Sequence, residues 1–286
     1  MRGVGSSNLP VPTIDIHDDV ERYLNGLSVL RKSSTENRSR QILFEYIPFA
    51  TNPPKDGVIA YLADCKRRGN TNRTLSNKLV RIKAFYHTLD IKIPRKDVPR
   101  PSYIERVPEI YSADDLTTFF SVCDTKQKLL FRTLLQSGMR MQEARYLEFS
   151  DIEDGFIKVT AKAQWNWIPK TSEERRIPVP KTLTTALLET KGSCSLVFPT
   201  SNGKPSFFML RTCKRTAKRA GLDPAKWSLH GFRRTYLTKI VNGGNLGLPT
   251  AMAIGGHKST KAALRYRSSQ TTRSSVHLEF SVSTDG

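Results

Sequence analysis

The sequence lacks the features that mark membrane and secreted proteins. No apolar run approaches the roughly 18 residues that a membrane-spanning helix needs, and the first residues do not form the apolar centre of a signal peptide. Four cysteines are present without a C-x-x-C pair, which argues against a zinc site and against a disulfide framework. We therefore expect a cytoplasmic protein whose cysteines stay reduced.

Acidic residues are also scarce. The chain of 286 residues has 26 Asp and Glu against 46 Lys and Arg, which gives a formal net charge of +20. The excess is spread along the chain, because residues 1–90 contain 14 basic and 9 acidic side chains and the remainder contains 32 and 17. Such a charge indicates a polyanionic partner, in the first place nucleic acid. An anionic membrane is disfavoured by the missing apolar segments, and charge that only keeps the protein soluble is the plain alternative.

The length predicts two domains joined by a linker. The segment 92–108 holds four prolines and five basic residues, so it cannot continue a helix and is the expected boundary. We predict a flexible N-terminus at 1–14, a helical domain at 15–91, the linker at 92–108, a second domain at 109–270 and a C-terminal tail at 271–286.

The first domain is predicted to be helical throughout. Between residues 75 and 89, apolar side chains recur at intervals of three and four, which is the helical period, and Thr71 or Asn72 can cap this helix. Its basic side chains would either be solvated or lie against phosphates; they are Arg73, Lys78, Arg81 and Lys83.

The second domain is predicted to be mainly α-helical with a small antiparallel sheet, an α+β fold. Ser112 caps its first helix and Gly138 ends the next, while 156–160, 175–180 and 196–198 have the composition of short strands. A later helix is strongly basic and is expected to lie on or in a DNA groove, unless it is a solvated amphipathic surface. Its candidate contacts are Arg211, Lys214, Arg215 and Lys218.

Several polar residues of the second domain have two interpretations each. Arg140 has Glu143 one helical turn later, which is either a structural ion pair or an arginine held ready for a ligand. Lys170 lies in the turn before a predicted strand, where a plain surface lysine is common. His230 and Arg233 lie three residues apart on one helical face, as a helix-capping histidine and a surface arginine also would.

A tyrosine surrounded by basic residues completes the set. Tyr266 lies nine residues after His257, between Arg265 and Arg267, where positive charge would favour its phenolate. Arginines bind phosphate oxygens, imidazole and ammonium groups transfer protons, and tyrosine can be a covalent nucleophile. The sequence shows no carboxylate cluster for two Mg²⁺ ions and no glycine-rich phosphate loop, so the set indicates phosphodiester transfer without a metal.

Four strings, SGMRMQEARYLEFSDI, PKTSEERRIPVP, HGFRRT and GGHKSTKAALRY, follow one another along the chain. With them, residues 15–270 resemble the tyrosine recombinases of the phage integrase family. The resemblance implies that 15–91 is a helical core-binding, DNA-binding domain and that 109–270 is the catalytic domain. Together the two domains would clamp duplex DNA.

The resemblance also implies a role for each matching residue. Arg140 and Arg233 would clamp the scissile phosphate, Glu143 would orient its neighbours, and Lys170 would protonate the departing 5′-oxygen.

Two histidines and the tyrosine have implied roles as well. His230 would help to take the proton of the tyrosine, and His257 would donate a hydrogen bond to the phosphate. Tyr266 would be the nucleophile and form a 3′-phosphotyrosyl link.

The implied activity is site-specific recombination through a Holliday junction, by a homotetramer on two sites in double-stranded DNA. The protein would then be nucleoid-associated, with accessory DNA-bending or directionality proteins as further partners. The tyrosyl bond would keep the phosphodiester energy, so no metal, ATP or other cofactor is expected. Two alternatives stay open: a monomeric enzyme like a type IB topoisomerase, and a DNA-binding protein of the same fold that does not cleave.

Three features depart from the family pattern. Gly255 stands where relatives usually carry Leu, which predicts a looser helix before His257. The hairpin segment AKAQWNWIPK is long and rich in Trp, which leaves Lys162 as a rival to Lys170 for the general acid. The tail after Tyr266 has few apolar residues, which leaves its docking between protomers open.

Overall fold

The computed structural model describes residues 16–30, 33–105, 109–242 and 248–256. Contacts divide the chain into two compact units, with the boundary between Glu105 and Arg106. Within the described ranges, no helix is long and apolar enough to cross a membrane.

The first unit is built on four helices in its described part. They are α1 (Ile16–Leu30), α2 (Ser33–Tyr46), α3 (Pro54–Arg67) and α4 (Asn72–Thr88). All four contribute to one core, in which Leu24, Leu43, Tyr61 and Phe85 are fully buried. Thr71 Oγ1 accepts a hydrogen bond from the backbone N–H of Thr74 at 3.3 Å, so Thr71 is the cap of α4.

Part of the predicted linker 92–108 packs on the first unit. Val98 is only 1% exposed and belongs to the core of that unit. Lys83 Nζ donates to Val98 O at 3.2 Å, and Arg100 Nε donates to Ser76 Oγ at 2.5 Å. These contacts hold the segment that follows α4 against α4 itself.

The second unit is mainly helical and encloses its own core. Ser112 Oγ accepts from Asp115 N at 3.1 Å and caps the first helix, as predicted. Trp227 lies between the rings of Tyr111 and Phe119, with centroids 4.1 Å away on each side. The helices are α5 (Ala113–Ser121), α6 (Thr125–Ser137), α7 (Met141–Arg145), α8 (Lys181–Leu188), α9 (Met209–Arg219), α10 (Leu229–Asn242) and α11 (Leu248–Gly255).

A three-stranded antiparallel sheet joins these helices in the order β1 (Ile152–Glu153), β2 (Phe156–Val159) and β3 (Arg175–Pro178). Ile157 pairs with Ile152 on one side and with Ile177 on the other, and all three face the core. The predicted class, mainly α with a small antiparallel sheet, is confirmed.

Two details of the sheet differ from the sequence prediction. The pair of residues in β1 was not expected, and the strand expected at 196–198 does not form. Leu196 makes only an isolated bridge with Glu148, and Val197 N donates to Leu147 O at 2.9 Å. The segment pairs with the chain before β1, over too short a length to make a strand.

Candidate active site

A turn and a short helix position Arg140. Gly138 ends α6 at φ 60°, and a Cβ there would lie 2.1 Å from Tyr236 Cδ1, so only glycine fits. Arg140 is the N-cap of α7, and its backbone N–H donates to Glu143 Oε2 at 2.7 Å. Its Nη1 donates to Glu143 Oε1 at 2.9 Å. The structure therefore brings Arg140 and Glu143 together, as their spacing predicts.

Glu143 is buried and is shared with a second arginine, which the sequence did not reveal. Arg175, at the start of β3, donates from Nη1 to Glu143 Oε1 at 3.0 Å and from Nη2 to Oε2 at 2.7 Å. Burial raises the pKa of Glu143, but the hydrogen bonds and charges of Arg175 and Arg140 outweigh it and lower the pKa overall. Glu143 is thus an ionised carboxylate between two guanidinium groups.

Arg233 lies on α10 and is only 1% exposed. Its Nη1 donates to Gly138 O at 2.5 Å, and its Nη2 donates to Gly255 O. The guanidinium is therefore fixed between the end of α6 and the end of α11. One turn after Arg233, burial raises the pKa of Tyr236 to about 12 against the opposing charge of that arginine, so Tyr236 stays a neutral phenol.

Helix α11 ends against three arginines. A helix leaves its last carbonyls without intrahelical partners, and the negative end of its dipole favours cations there. The carbonyls of residues 254–256 each accept a hydrogen bond from a different guanidinium. The donors are, in that order, Arg175 Nε at 3.1 Å, Arg233 Nη2 and Arg140 Nη2 at 2.8 Å. Gly255, where the sequence predicts a looser helix, is the last helical residue and is bonded through its carbonyl.

His230 and Lys170 share the positive field of these arginines. His230 is exposed at the start of α10, and Lys170 is exposed in the turn before β3. Desolvation of the part of the ring that is not exposed, and the charges of four nearby cations, lower the pKa of His230 to about 4. The cations are, in order of effect, Arg233, Arg234, Arg140 and Lys170. At neutral pH the imidazole is therefore uncharged and can accept a proton.

Lys162, the rival to Lys170, has a different environment. It is 6% exposed, and its Nζ donates to Asp151 Oδ1 at 2.6 Å and lies 3.4 Å from Glu148 Oε2. A buried ammonium between two carboxylates is held as an internal ion pair. Of these two lysines, Lys170 is the one whose charge lowers the pKa of His230.

His257 and Tyr266 lie outside the described residues, and their roles stay predictions. The described chain ends at Gly256, directly before His257.

The basic face of α9 is exposed. Met209, Cys213 and Ala217 bury the opposite face, at the helical spacing of four residues. The four residues predicted to contact DNA lie on the outer face, and all are exposed: Arg211, Lys214, Arg215 and Lys218.

On α4, Lys78 does not fit the predicted contact with DNA. It is 6% exposed, its Nζ donates to Tyr61 Oη at 2.7 Å, and it pairs with Glu45. Lys78 lies three residues after Leu75 and directly before Leu79, on the buried side of the helix. Its ammonium is therefore used inside the first unit.

The other three basic residues of α4 lie nearer to solvent. Arg73 is exposed, whereas Arg81 and Lys83 are partly buried. Arg81 Nη1 donates to Ser39 Oγ at 2.8 Å, and burial together with the charge of Arg95 lowers the pKa of Lys83. The four predicted contacts thus do not share one face.

Within the described part of the chain, no group of three or more His, Cys, Asp or Glu side chains could hold a metal ion.

Comparison with known proteins identifies the family. Residues 106–273 match the model of the phage integrase family, which is more than half of the chain. The chain belongs to this family of tyrosine recombinases.

Relatives of this tyrosine recombinase include proteins named as Xer recombinases. It is 23% identical to tyrosine recombinase XerD of Rickettsia bellii over 241 residues, which is 74% of this chain and 77% of the relative. It is also 23% identical to tyrosine recombinase XerC of Bacillus licheniformis over 235 residues, which is 73% of this chain and 74% of the relative.

Solved integrases share the fold of this tyrosine recombinase. The Tn1549 transposon integrase, in complex with a circular intermediate DNA, superposes with a TM-score of 0.73 at 16% identity, over 91% of this chain and 97% of that chain. Lambda integrase, as a tetramer bound to a Holliday junction, superposes with a TM-score of 0.71 at 16% identity, over 89% of this chain and 78% of that chain.

Proposed function

We propose that this tyrosine recombinase cuts and rejoins double-stranded DNA at specific sites, with Tyr266 as the nucleophile. One observation carries the proposal: four cations converge at His230, where desolvation and the charges of Arg233, Arg234, Arg140 and Lys170 lower the pKa to about 4. These cations exceed the charge that the buried carboxylate of Glu143 can neutralise. Such a site is suited to an anion, and a phosphodiester is the anion that the predicted nucleophile would attack.

The proposed cleavage step moves two protons. Tyr266 Oη attacks the scissile phosphorus, and the 5′-oxygen leaves, so that one P–O bond forms as another breaks. His230, uncharged at neutral pH, takes the phenol proton, and Lys170 gives a proton to the 5′-oxygen. Arg140 and Arg233 bind the non-bridging oxygens.

The remaining residues support this step and its reversal. His257 donates a hydrogen bond to the phosphate, and Glu143 orients Arg140. The 5′-hydroxyl of a second duplex then attacks the phosphotyrosine, which restores a phosphodiester and releases the tyrosine. Two such exchanges pass through a Holliday junction, and the reaction so written consumes no ATP and uses no metal.

DNA would be bound by the basic surfaces of both units. The exposed side chains available are Arg73 in the first unit and those of α9 in the second, with Arg81 and Lys83 partly exposed. Lambda integrase has been solved as a tetramer on a Holliday junction, which supports a tetramer on two sites here. Accessory DNA-bending or directionality proteins and a place at the nucleoid follow from the same proposal.

The test is a suicide substrate, a duplex nicked near the cleavage point, followed by a denaturing gel. We expect the wild type to give a covalent protein–DNA band and Tyr266→Phe to give none, while DNA binding is unchanged. Tyr236→Phe is the matched control and should keep the band. An adduct in Tyr266→Phe would contradict the nucleophile. A wild type without adduct on any cognate site would favour the non-cleaving DNA-binding protein, and rejoining of one strand without a second site would favour the topoisomerase-like enzyme.

A further inference from the structure

The three arginines at the end of α11 are held in different ways. Arg140 donates to the carbonyl of Gly256, directly after α11, and Arg233 donates to that of Gly255, the last residue of α11. Both arginines are the proposed phosphate ligands. Arg175 also binds such a carbonyl, that of Ile254, but its two Nη atoms are both bonded to Glu143. Its side chain is 10% exposed. Arg175 therefore donates to protein partners from all three of its side-chain nitrogens, Nε, Nη1 and Nη2.

The strand fixes the direction of Arg175. Val159 and Arg175 are paired across β2 and β3, and Ile177, two residues on, is fully buried on the same face of the sheet. The next residue, Arg176, points to the opposite face, where its Nη2 lies 2.7 Å from Glu153 Oε2 and its side chain is 57% exposed. The strand thus offers two adjacent arginines, one directed at the site and one directed away.

Close packing at Gly256 shows how tightly this corner is built. Gly256 has φ +58°, and a Cβ there would lie 3.2 Å from Arg140 Nη1 and 3.3 Å from Arg175 Cζ. Both guanidinium groups therefore press against the last described residue before His257. A shift of either group would move the point from which the chain continues toward Tyr266.

We propose that Arg175 is a positioning residue for strand cleavage: it orients Arg140 through Glu143 and anchors the end of α11 through the Ile254 carbonyl. The proposal rests on the function proposed above. When Arg140 and Arg233 bind a phosphate, the hydrogen bond from Arg175 Nε to the carbonyl of Ile254 is the one that keeps the end of α11 in place.

The carboxylate of Glu143 makes this role measurable by pH. Burial opposes its ionised form, and Arg175 and Arg140 restore that form. On the neighbouring elements, Glu173 and Glu174 in the turn before β3 line a pocket with Arg175, and Arg233 and His230 on α10 lie near Arg140. The end of α11 presents backbone carbonyls to Arg175 and Arg140. Without Arg175, Glu143 would take up a proton at a higher pH, and Arg140 would then lose its ionic partner.

The experiment compares Arg175→Gln with the matched control Arg176→Gln on the suicide substrate, in single turnovers from pH 5.5 to 8.5. We expect Arg175→Gln to cleave at least about tenfold more slowly than the wild type at pH 8, and to lose further activity as the pH falls. DNA binding should stay within about twofold. Arg176→Gln should follow the wild type at every pH.

A double variant separates positioning from plain stability. In the Glu143→Gln background, Arg175→Gln should lower the rate much less, and the added pH dependence should vanish, because no carboxyl remains to titrate. An equal loss in both backgrounds, or the same loss at every pH, would overturn the role through Glu143. Arg175→Lys keeps the charge and serves if the Gln variant does not fold.

The anchoring of α11 has a readout that does not need cleavage. Amide hydrogen exchange within Leu248–Gly255 should be faster in Arg175→Gln than in the wild type and unchanged in Arg176→Gln. Equal exchange in all three proteins would overturn the anchor. A wild type that forms no adduct would refute the proposed function alone, because the exchange result still decides the position of α11.

Discussion

Each unit holds a carboxylate against basic side chains, Glu45 with 30% of its side chain exposed in the first and Glu143 with 1% exposed in the second, and the charges balance differently. In the first unit, Glu45 accepts hydrogen bonds from Lys78 and from Tyr61 Oη, the latter at 3.0 Å. Lys78 is the one cation bonded to it, and Arg68 adds only its charge. In the second unit, Glu143 is bonded to two arginines. Burial raises the pKa of each carboxylate, and the basic partners lower it further than burial raises it.

Glu143 lies in a region with more cations than one ion pair would need. Arg233, Arg234 and Lys170 also contribute positive charge at His230, so cations outnumber the buried carboxylate. A balanced cluster satisfies itself and supports the fold, whereas a cluster with excess positive charge is suited to bind an anion. The comparison predicts that changes in the first cluster alter stability and that changes in the second alter chemistry.

The largest effect is expected at Gly138, which supplies a carbonyl to Arg233. Gly138→Ala would require φ near +60° from alanine and would drive a methyl group into Tyr236, so we expect a loss of about 3 kcal/mol or more. Urea unfolding followed by Trp fluorescence measures it, because all three tryptophans lie in the second unit.

Gly155→Ala is the control for this prediction. Gly155 has φ +75°, but the nearest atom to its Cβ would be 3.7 Å away, so only the backbone strain remains, about 1 kcal/mol. An equal loss of stability in the two variants would show that a methyl group at position 138 does not collide with Tyr236. It would then contradict the close packing around Gly138, whose carbonyl holds Arg233.

A smaller effect is expected in the balanced cluster of the first unit. Lys78→Met should destabilise the protein by about 1–3 kcal/mol, because Tyr61 Oη loses its donor and Glu45 loses its ionic partner, keeping only the hydrogen bond from Tyr61. Thermal unfolding followed by circular dichroism measures this loss. The salt dependence of DNA binding should not change, since Lys78 is buried.

Arg73→Ala is the opposite case. Arg73 is exposed, so its loss should leave stability unchanged and should reduce the slope of log K against log salt by about 0.9 if it contacts one phosphate. A reduced slope in Lys78→Met would contradict the distinction between the buried Lys78 and the exposed Arg73.

The smallest effect concerns the protonation of His230. Its pKa in the folded protein is about 4, below its ordinary value of 6.5, so the folded state binds fewer protons than the unfolded state between these values. The contribution of this pKa difference to the free energy of unfolding is complete above pH 6.5 and is lost as the pH falls toward 4. A proton NMR titration, assigned with His230→Asn, should give a midpoint near 4. Arg234→Gln should move the midpoint upward, and a wild-type midpoint near 6.5 would contradict the cationic surroundings.

Local signals in the sequence predict much of this architecture. Caps such as Ser112 and Thr71, and the glycine that ends α6, act within one turn, so a short window of sequence contains their partners. The pairing of Arg140 with Glu143 is of the same kind. The fold class follows from the helical period and from two of the three expected strands.

Other features depend on contacts that are distant in sequence. Arg175 reaches Glu143 across 32 residues, and only the register of β2 and β3 directs it inward. An arginine two residues before a buried strand position was the available signal. Lys78 could have been assigned to the buried side of α4 by helical spacing, but its partner Glu45 lies 33 residues away on α2.

The most direct test of the distinction between balanced and excess charge uses the two lysines of the β2–β3 hairpin. Lys162 is neutralised by Asp151 and Glu148, whereas Lys170 is exposed and acts on His230. A DNA substrate with a 5′-bridging sulfur has a leaving group that needs no proton. We predict that Lys170→Ala cleaves ordinary DNA about 100-fold or more slowly than the wild type and cleaves the sulfur substrate at a nearly normal rate. Lys162→Ala should lose stability and should not be rescued by sulfur; rescue of Lys162→Ala, or none for Lys170→Ala, would contradict the account.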